Sequence, residues 1–170
     1  MAKRISLRQF QQSLVERLTS ARTGELPRAL LGVQVGRELW LADLADAGEI
    51  VPLPSITPVP LAKPWLRGLA NIRGTLFLVI DFASFLGGEL TPVTADARLL
   101  LPNVRFGSNC GLLVNRGLGL RSQEGFDPSP VGGDRRPWVA SELTDSHGAT
   151  WKKLSFPELL GHPQFMDVGA

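Results

Sequence analysis

The chain has 170 residues, 44% of them hydrophobic, with 18 basic and 16 acidic side chains and a net charge of +2. That is enough apolar material to bury a core, in one domain or two closely fused small lobes, and it excludes disorder as the main state. The one cysteine, Cys110, has no partner for an internal disulfide, and with only His147 and His162 beside it there are too few soft ligands for a zinc site.

From Ser6 onward, Leu7, Phe10, Leu14 and Leu18 recur at spacings of three and four, which predicts an amphipathic helix over about residues 7–20. Ser6 followed by Gln9 has the form of a capping box at its start. No run of signal-peptide or bilayer-spanning length occurs, so a cytoplasmic protein is expected. Gly24 and Pro27 break the helix and lead into β-type sequence. Residues 30–35 and 38–42 are apolar runs flanking Gly36-Arg37, and a glycine first in a two-residue loop suits a type II′ hairpin. Ile50 and Val51 end a further strand.

Pro52, Pro54, Pro58, Pro60 and Pro64 then remove the amide donors a central strand or helix would need, so an extended surface connection is expected. Residues 76–80 form the strongest strand pattern, because five consecutive apolar residues in so short a run imply burial on both faces. Leu76, Val79 and Ile80 are therefore expected in the core. One helical turn over residues 82–86 ends at Gly87-Gly88. Strand patterns resume at residues 98–101, 111–114 and 118–121, with Gly107-Ser108-Asn109 as turn material. Residues 138–143 and 149–154 flank a hairpin turn at residues 145–148. Ser155 and Glu158 repeat the capping-box pattern before a very short final helix closed by Gly161 and Pro163. Many short strands punctuated by glycine and proline point to small barrels or a sandwich.

Catalytic motifs are weak. His147 sits in a turn and His162 between a glycine and a proline, which suits surface or capping roles. Gly117-Leu118-Gly119 opens like a dinucleotide fingerprint, but Ser122 stands where the third glycine belongs, and no glycine is followed by lysine as a phosphate loop requires. Asp43, Asp46, Glu49 and Asp81 are acidic residues at strand ends, where solvation or salt bridging is the ordinary state. No enzyme, cofactor or metal follows from these patterns.

The informative stretch runs from Trp65 to Gly87. It reads Gly68, then Asn71-Ile72-Arg73-Gly74, then the apolar strand, then Asp81-Phe82. This resembles the signature of CheW-like domains, the coupling proteins of bacterial chemosensory arrays. Glu49-Ile50 falls where that family carries an acidic and an aliphatic residue, and Gly111-Leu112-Leu113-Val114 resembles its second-lobe strand. Asn115 replaces the family's usual aspartate, and Gly117 a common valine. Cys110 and the ending from Trp151 to Phe165 are more similar to the PilI-type branch, which serves the system controlling type IV pili and twitching motility.

The resemblance implies an all-β fold of two five-stranded SH3-like barrels over residues 27–168, preceded by a helical extension at residues 1–26. It also implies a non-catalytic adaptor coupling the cytoplasmic tip of a methyl-accepting chemotaxis receptor to the regulatory domain of a CheA-like histidine kinase. Such a protein is cytoplasmic, with no membrane insertion of its own, and joins receptor arrays through its partners. Glu49, Asn71, Ile72, Arg73 and Gly74 are then the expected partner-binding residues, supported by Gly68 and Asp81. Arg73 is expected at the tip of the turn, paired with Glu49, because its guanidinium offers a planar fork of donors to a carboxylate. Asp81 is expected to bond nearby backbone amides. A nucleic-acid-binding barrel is the alternative suggested by the isoelectric point of 9.1, but tyrosine is absent and the tryptophans are dispersed.

Overall fold

A computed structural model describes residues 29–129 and 133–169. The expected helical extension over residues 1–26 lies outside the described residues. Alternating side-chain direction along short strands builds everything else. β1 (Ala29–Val35) and β2 (Glu38–Asp43) form an antiparallel hairpin around Gly36, whose φ of +59° is the left-handed conformation that a type II′ loop asks of its first residue. β3 (Ala47–Pro52) precedes the proline-rich connection, which crosses the surface and touches regular structure through the Thr57–Leu69 bridge. β4 (Leu66–Ile72) and β5 (Thr75–Asp81) form a second hairpin, and α1 (Phe82–Phe85) is the expected single turn.

β6 (Arg98–Pro102), β7 (Cys110–Val114) and β8 (Arg116–Ser122) follow, then the two-residue β9 (Asp127–Pro128). The β10 (Val139–Thr144) and β11 (Thr150–Leu154) hairpin leads to α2 (Phe156–Leu160) and α3 (Pro163–Met166). The Ser155 hydroxyl caps α2 by accepting from the Glu158 amide.

These strands make two sheets, ordered β8-β1-β2-β11-β10-β9 and β3-β6-β7-β5-β4. Two of the pairings are parallel, β11 with β2 and β5 with β7, so each sheet is closed by segments distant in the chain. The six-stranded sheet takes strands from both ends of the described chain, and the five-stranded sheet is built from its middle.

Three apolar clusters occupy this frame. One lies inside the five-stranded lobe and holds Val79, Leu99, Leu101 and Leu113. A second lies inside the six-stranded lobe, around Leu30, Leu41 and Trp151. The largest joins the lobes, with Leu31, Val33 and Trp40 from one sheet against Ile80, Leu100, Leu112 and Val114 from the other. Successive residues of β6 and β7 therefore enter different cores. This is why those strands are apolar without alternation. Each such side chain contributes about 1.5–3 kcal/mol by leaving water. Phe85 fastens α1 to the joint, with ring centroids 5.1 Å from Trp138, 5.4 Å from Phe165 and 5.5 Å from Trp65.

Leu76 departs from the expectation of a core residue. It is 57% exposed, whereas Val79 and Ile80 are fully buried. The reason is register: β7 joins β5 only from Leu78, opposite Cys110, so the first three residues of β5 project past their neighbour.

Candidate functional site

The β4–β5 register pairs Ile72 with Thr75, leaving Arg73 and Gly74 as a two-residue turn. Both have positive φ, +50° and +85°, as a type I′ turn requires. Glycine accepts this without penalty, but arginine does not. The Asn71 side chain helps hold the corner, its Oδ1 accepting from the Gly74 amide at 2.9 Å. Arg73 is thus fixed by its backbone while its side chain, 69% exposed, stands in solvent.

That side chain does pair with Glu49. Arg73 Nη1 donates to Glu49 Oε2 at 3.2 Å, and Nη2 donates to Oε1, giving the forked arrangement expected of guanidinium and carboxylate. The hydrogen bond from Arg73 to Glu49 raises the arginine pKa above its ordinary value. Glu49 lies on β3 and Arg73 directly follows β4, the two outer strands of the five-stranded sheet. Their contact brings opposite edges of that sheet together, as a sheet curled toward a barrel does.

The pair stands on the rim of an open groove of about 510 Å³. Ile72, Phe77, Leu101 and Pro102 give it apolar lining, and the loop from Asn103 to Asn109 forms another wall. Val104 on that loop is 92% exposed. The loop is well anchored: the Asn103 amide donates to Asp46 O at 2.7 Å, its side chain donates to Ala45 O at 3.1 Å, and Arg105 pairs with Asp46. An apolar patch with fixed charges on its border has the composition of a protein interface. Its titratable lining side chains are Glu49 and Arg73, which are paired with each other.

Asp81 and Gly68, expected to support the site, lie toward the other end of the β4–β5 hairpin from the turn, where Leu66 pairs with Ile80 and Gly68 with Val79. Asp81 is fully buried and accepts four hydrogen bonds: from Arg67 Nη1 at 2.9 Å, the Thr91 amide at 2.8 Å, the Thr91 hydroxyl at 2.7 Å and the Ser84 amide at 3.2 Å. The expected bonds to backbone amides are present, and the ion pair to Arg67 on β4 adds to them. Gly68 has φ +141°, and a Cβ there would fall 2.1 Å from Thr57 O. Only glycine lets the proline-rich strap lie this close to β4.

Other residues weighed from the sequence have structural duties. The His162 ring caps α3, Nδ1 accepting from the Gln164 amide at 3.2 Å, and stacks edge-on against Trp138. His147 lies in the turn whose amides bond Asp145. Asn115, the departure from the family pattern, accepts from the Gly36 amide at 2.8 Å and pins the β1–β2 turn. Burial pushes the Cys110 thiol pKa up, away from the reactive thiolate. Phe77, Leu101, Asn103 and Val104 line the groove but were not singled out from the sequence. The one available signal was the Pro102-Asn103 step that ends the apolar run of residues 99–101.

Comparison with known proteins bears on the family and the fold. The model of the CheW-like domain family matches residues 29–164, well over half of the chain. The protein PilI of Pseudomonas aeruginosa is 29% identical over 143 residues, which cover 81% of this chain and 78% of that protein. Chemotaxis protein CheW of Rhizobium meliloti is 27% identical over 88 residues, covering 52% of this chain and 56% of that one. The crystal structure of the scaffolding protein TtCheW from Thermoanaerobacter tengcongensis superposes with a TM-score of 0.65 at 21% identity, over 77% of this chain and 86% of that one.

Proposed function

The chain belongs to the CheW-like family of chemosensory scaffold proteins, which are not enzymes, and from that premise we propose that it is the adaptor linking a methyl-accepting chemotaxis receptor to a CheA-like histidine kinase. The similarity to PilI favours the system that controls type IV pili and twitching motility. One observation carries the proposed binding site: the Arg73–Glu49 fork is displayed in solvent on a rigid left-handed corner beside an apolar groove. An exposed ion pair adds little to stability, so its worth lies in orientation and partner choice. Glu49, Asn71, Ile72, Arg73 and Gly74 make up the contact surface in this reading, with Gly68 and Asp81 as support from the other end of the β4–β5 hairpin.

The test is co-elution of the purified protein with the kinase regulatory domain and with the receptor's cytoplasmic tip, wild type against Arg73→Glu. The variant sets two carboxylates side by side at the rim. Loss of complex with an unchanged thermal midpoint supports the proposal. Retained binding, or loss of binding that tracks loss of folding, counts against it.

A further inference from the structure

A second groove, of about 610 Å³, shares no lining residue with the one beside Arg73. One wall is the β1–β2 turn, the other is the loop over residues 87–92 that follows α1, and Val35, Ala83 and Leu86 give apolar lining. Both walls are fastened from behind. In the turn, the Gly36 amide donates to Asn115 Oδ1 at 2.8 Å, and the Gly36 carbonyl accepts from Gln34 Nε2 at 3.1 Å. In the loop, Thr91 is buried: its amide and hydroxyl donate to Asp81 at 2.8 and 2.7 Å, and its carbonyl accepts from Arg67 at 3.0 Å. Loops anchored in this way bind without a further ordering cost. What they display is Arg37 on one wall and Glu89-Leu90 on the other. Leu90 is 53% exposed, and neither Arg37 nor Glu89 has a partner among the described residues. Glu38, beside them, is already bonded to Trp40 and Arg136.

We propose that this groove is a self-complementary contact, at which two copies of the chain pair about a two-fold axis. A two-fold contact is made twice over, so Arg37 of each copy can meet the partner's Glu89. A groove shaped for an acidic or a basic partner would carry one sign of charge. This one holds a free cation and a free anion on separate walls, unbonded to each other, which is the arrangement a second copy satisfies in full. Leu90 of each copy then leaves water against the apolar lining of the other groove. A contact built from two loops and the floor between them belongs to the size class below about 1,200 Å². Pairing is therefore weak and reversible, and it shows at high protein concentration. This surface is separate from the Arg73 corner, and the proposal stands apart from the proposed function.

Sedimentation equilibrium of the full-length protein, from dilute to near-millimolar concentration, tests it. The wild type should show a monomer–dimer equilibrium that stops at the dimer, because a two-fold contact closes on itself. Arg37→Glu or Glu89→Arg alone should weaken pairing about tenfold or more, since symmetry repeats the like-charge contact. An equimolar mixture of the two variants should regain wild-type pairing, because both cross-contacts then join opposite charges. Thermal midpoints of both variants should match the wild type, as neither side chain is bonded within the described fold. A wild type that stays monomeric throughout overturns the proposal. So does a dimer that neither reversal weakens or that mixing fails to restore, growth beyond the dimer, or a lowered midpoint, which would assign these side chains to the fold.

Discussion

Replacing Asp81 by alanine should unfasten the end of the β4–β5 hairpin that lies away from the Arg73 turn. The carboxylate is fully buried and joins three segments: β4 through Arg67, the start of α1 through Ser84, and the loop at Thr91. Alanine removes the helix cap, worth about 1 kcal/mol, and strands Thr91 and Arg67, whose side chain is 22% exposed. Deleting one partner of a buried pair typically costs about 3–5 kcal/mol. The cap and the pair overlap, so the sum stays within about 3–5 kcal/mol rather than exceeding it. At this domain size each kcal/mol lowers the midpoint by about 2–4 °C, so a fall on the order of 10 °C is expected. Asp81→Asn should recover little, because its amide group sets a donor against the donors of Thr91 and Arg67. Urea unfolding of both variants measures this directly. A loss under about 1 kcal/mol for alanine would refute the reasoning, since the network would then hold no segment together.

Gly68→Ala should also destabilise, by less, for steric reasons. Its Cβ meets the Thr57 carbonyl and displaces the strap, which is held by two backbone hydrogen bonds of 2.8 Å between Thr57 and Leu69. About 1–3 kcal/mol of backbone strain is expected, together with raised hydrogen exchange at the Leu69 amide. Acid should act through Asp134, whose carboxylate bonds Arg136 at 2.6 Å and Lys152 at 2.5 Å. The Arg136 hydrogen bonds hold its pKa far below the ordinary carboxylate range. A carboxyl depressed on folding stabilises above its unfolded pKa of about 3.9, and that stabilisation is lost as pH falls. The stability gap between wild type and Asp134→Asn should therefore be constant near neutrality and narrow below about pH 4, measured by urea titration at stepped pH.

Local features of this fold were legible because short-range chemistry decides them. Gly36 and Gly74 mark their turns, Ser155 marks the start of α2, and the prolines keep residues 53–65 out of the sheets. The Arg73–Glu49 pair was reached through family resemblance, since 24 residues separate the partners and no local pattern joins them. Leu76 was misread because its exposure depends on where β7 begins to pair with β5, a long-range register invisible in a five-residue apolar run. Arg67 was missed as the partner of Asp81 for a similar reason. Its position follows from the β4–β5 pairing and the register shift between Leu66 and Gly68. The parallel β2–β11 contact joins residues more than a hundred positions apart, with no signal in either strand alone.

The central claim is that a partner docks on the groove beside the Arg73–Glu49 fork, and amide shift mapping tests it most directly. Isotope-labelled protein is titrated with the kinase regulatory domain, and separately with the receptor tip. The account predicts that at least one titration moves the signals of Glu49, Asn71 to Thr75, and Val104 to Asn109 together. Shifts confined to the β10–β11 turn around His147, or to the Leu90 loop, with the corner unmoved in both titrations would contradict it.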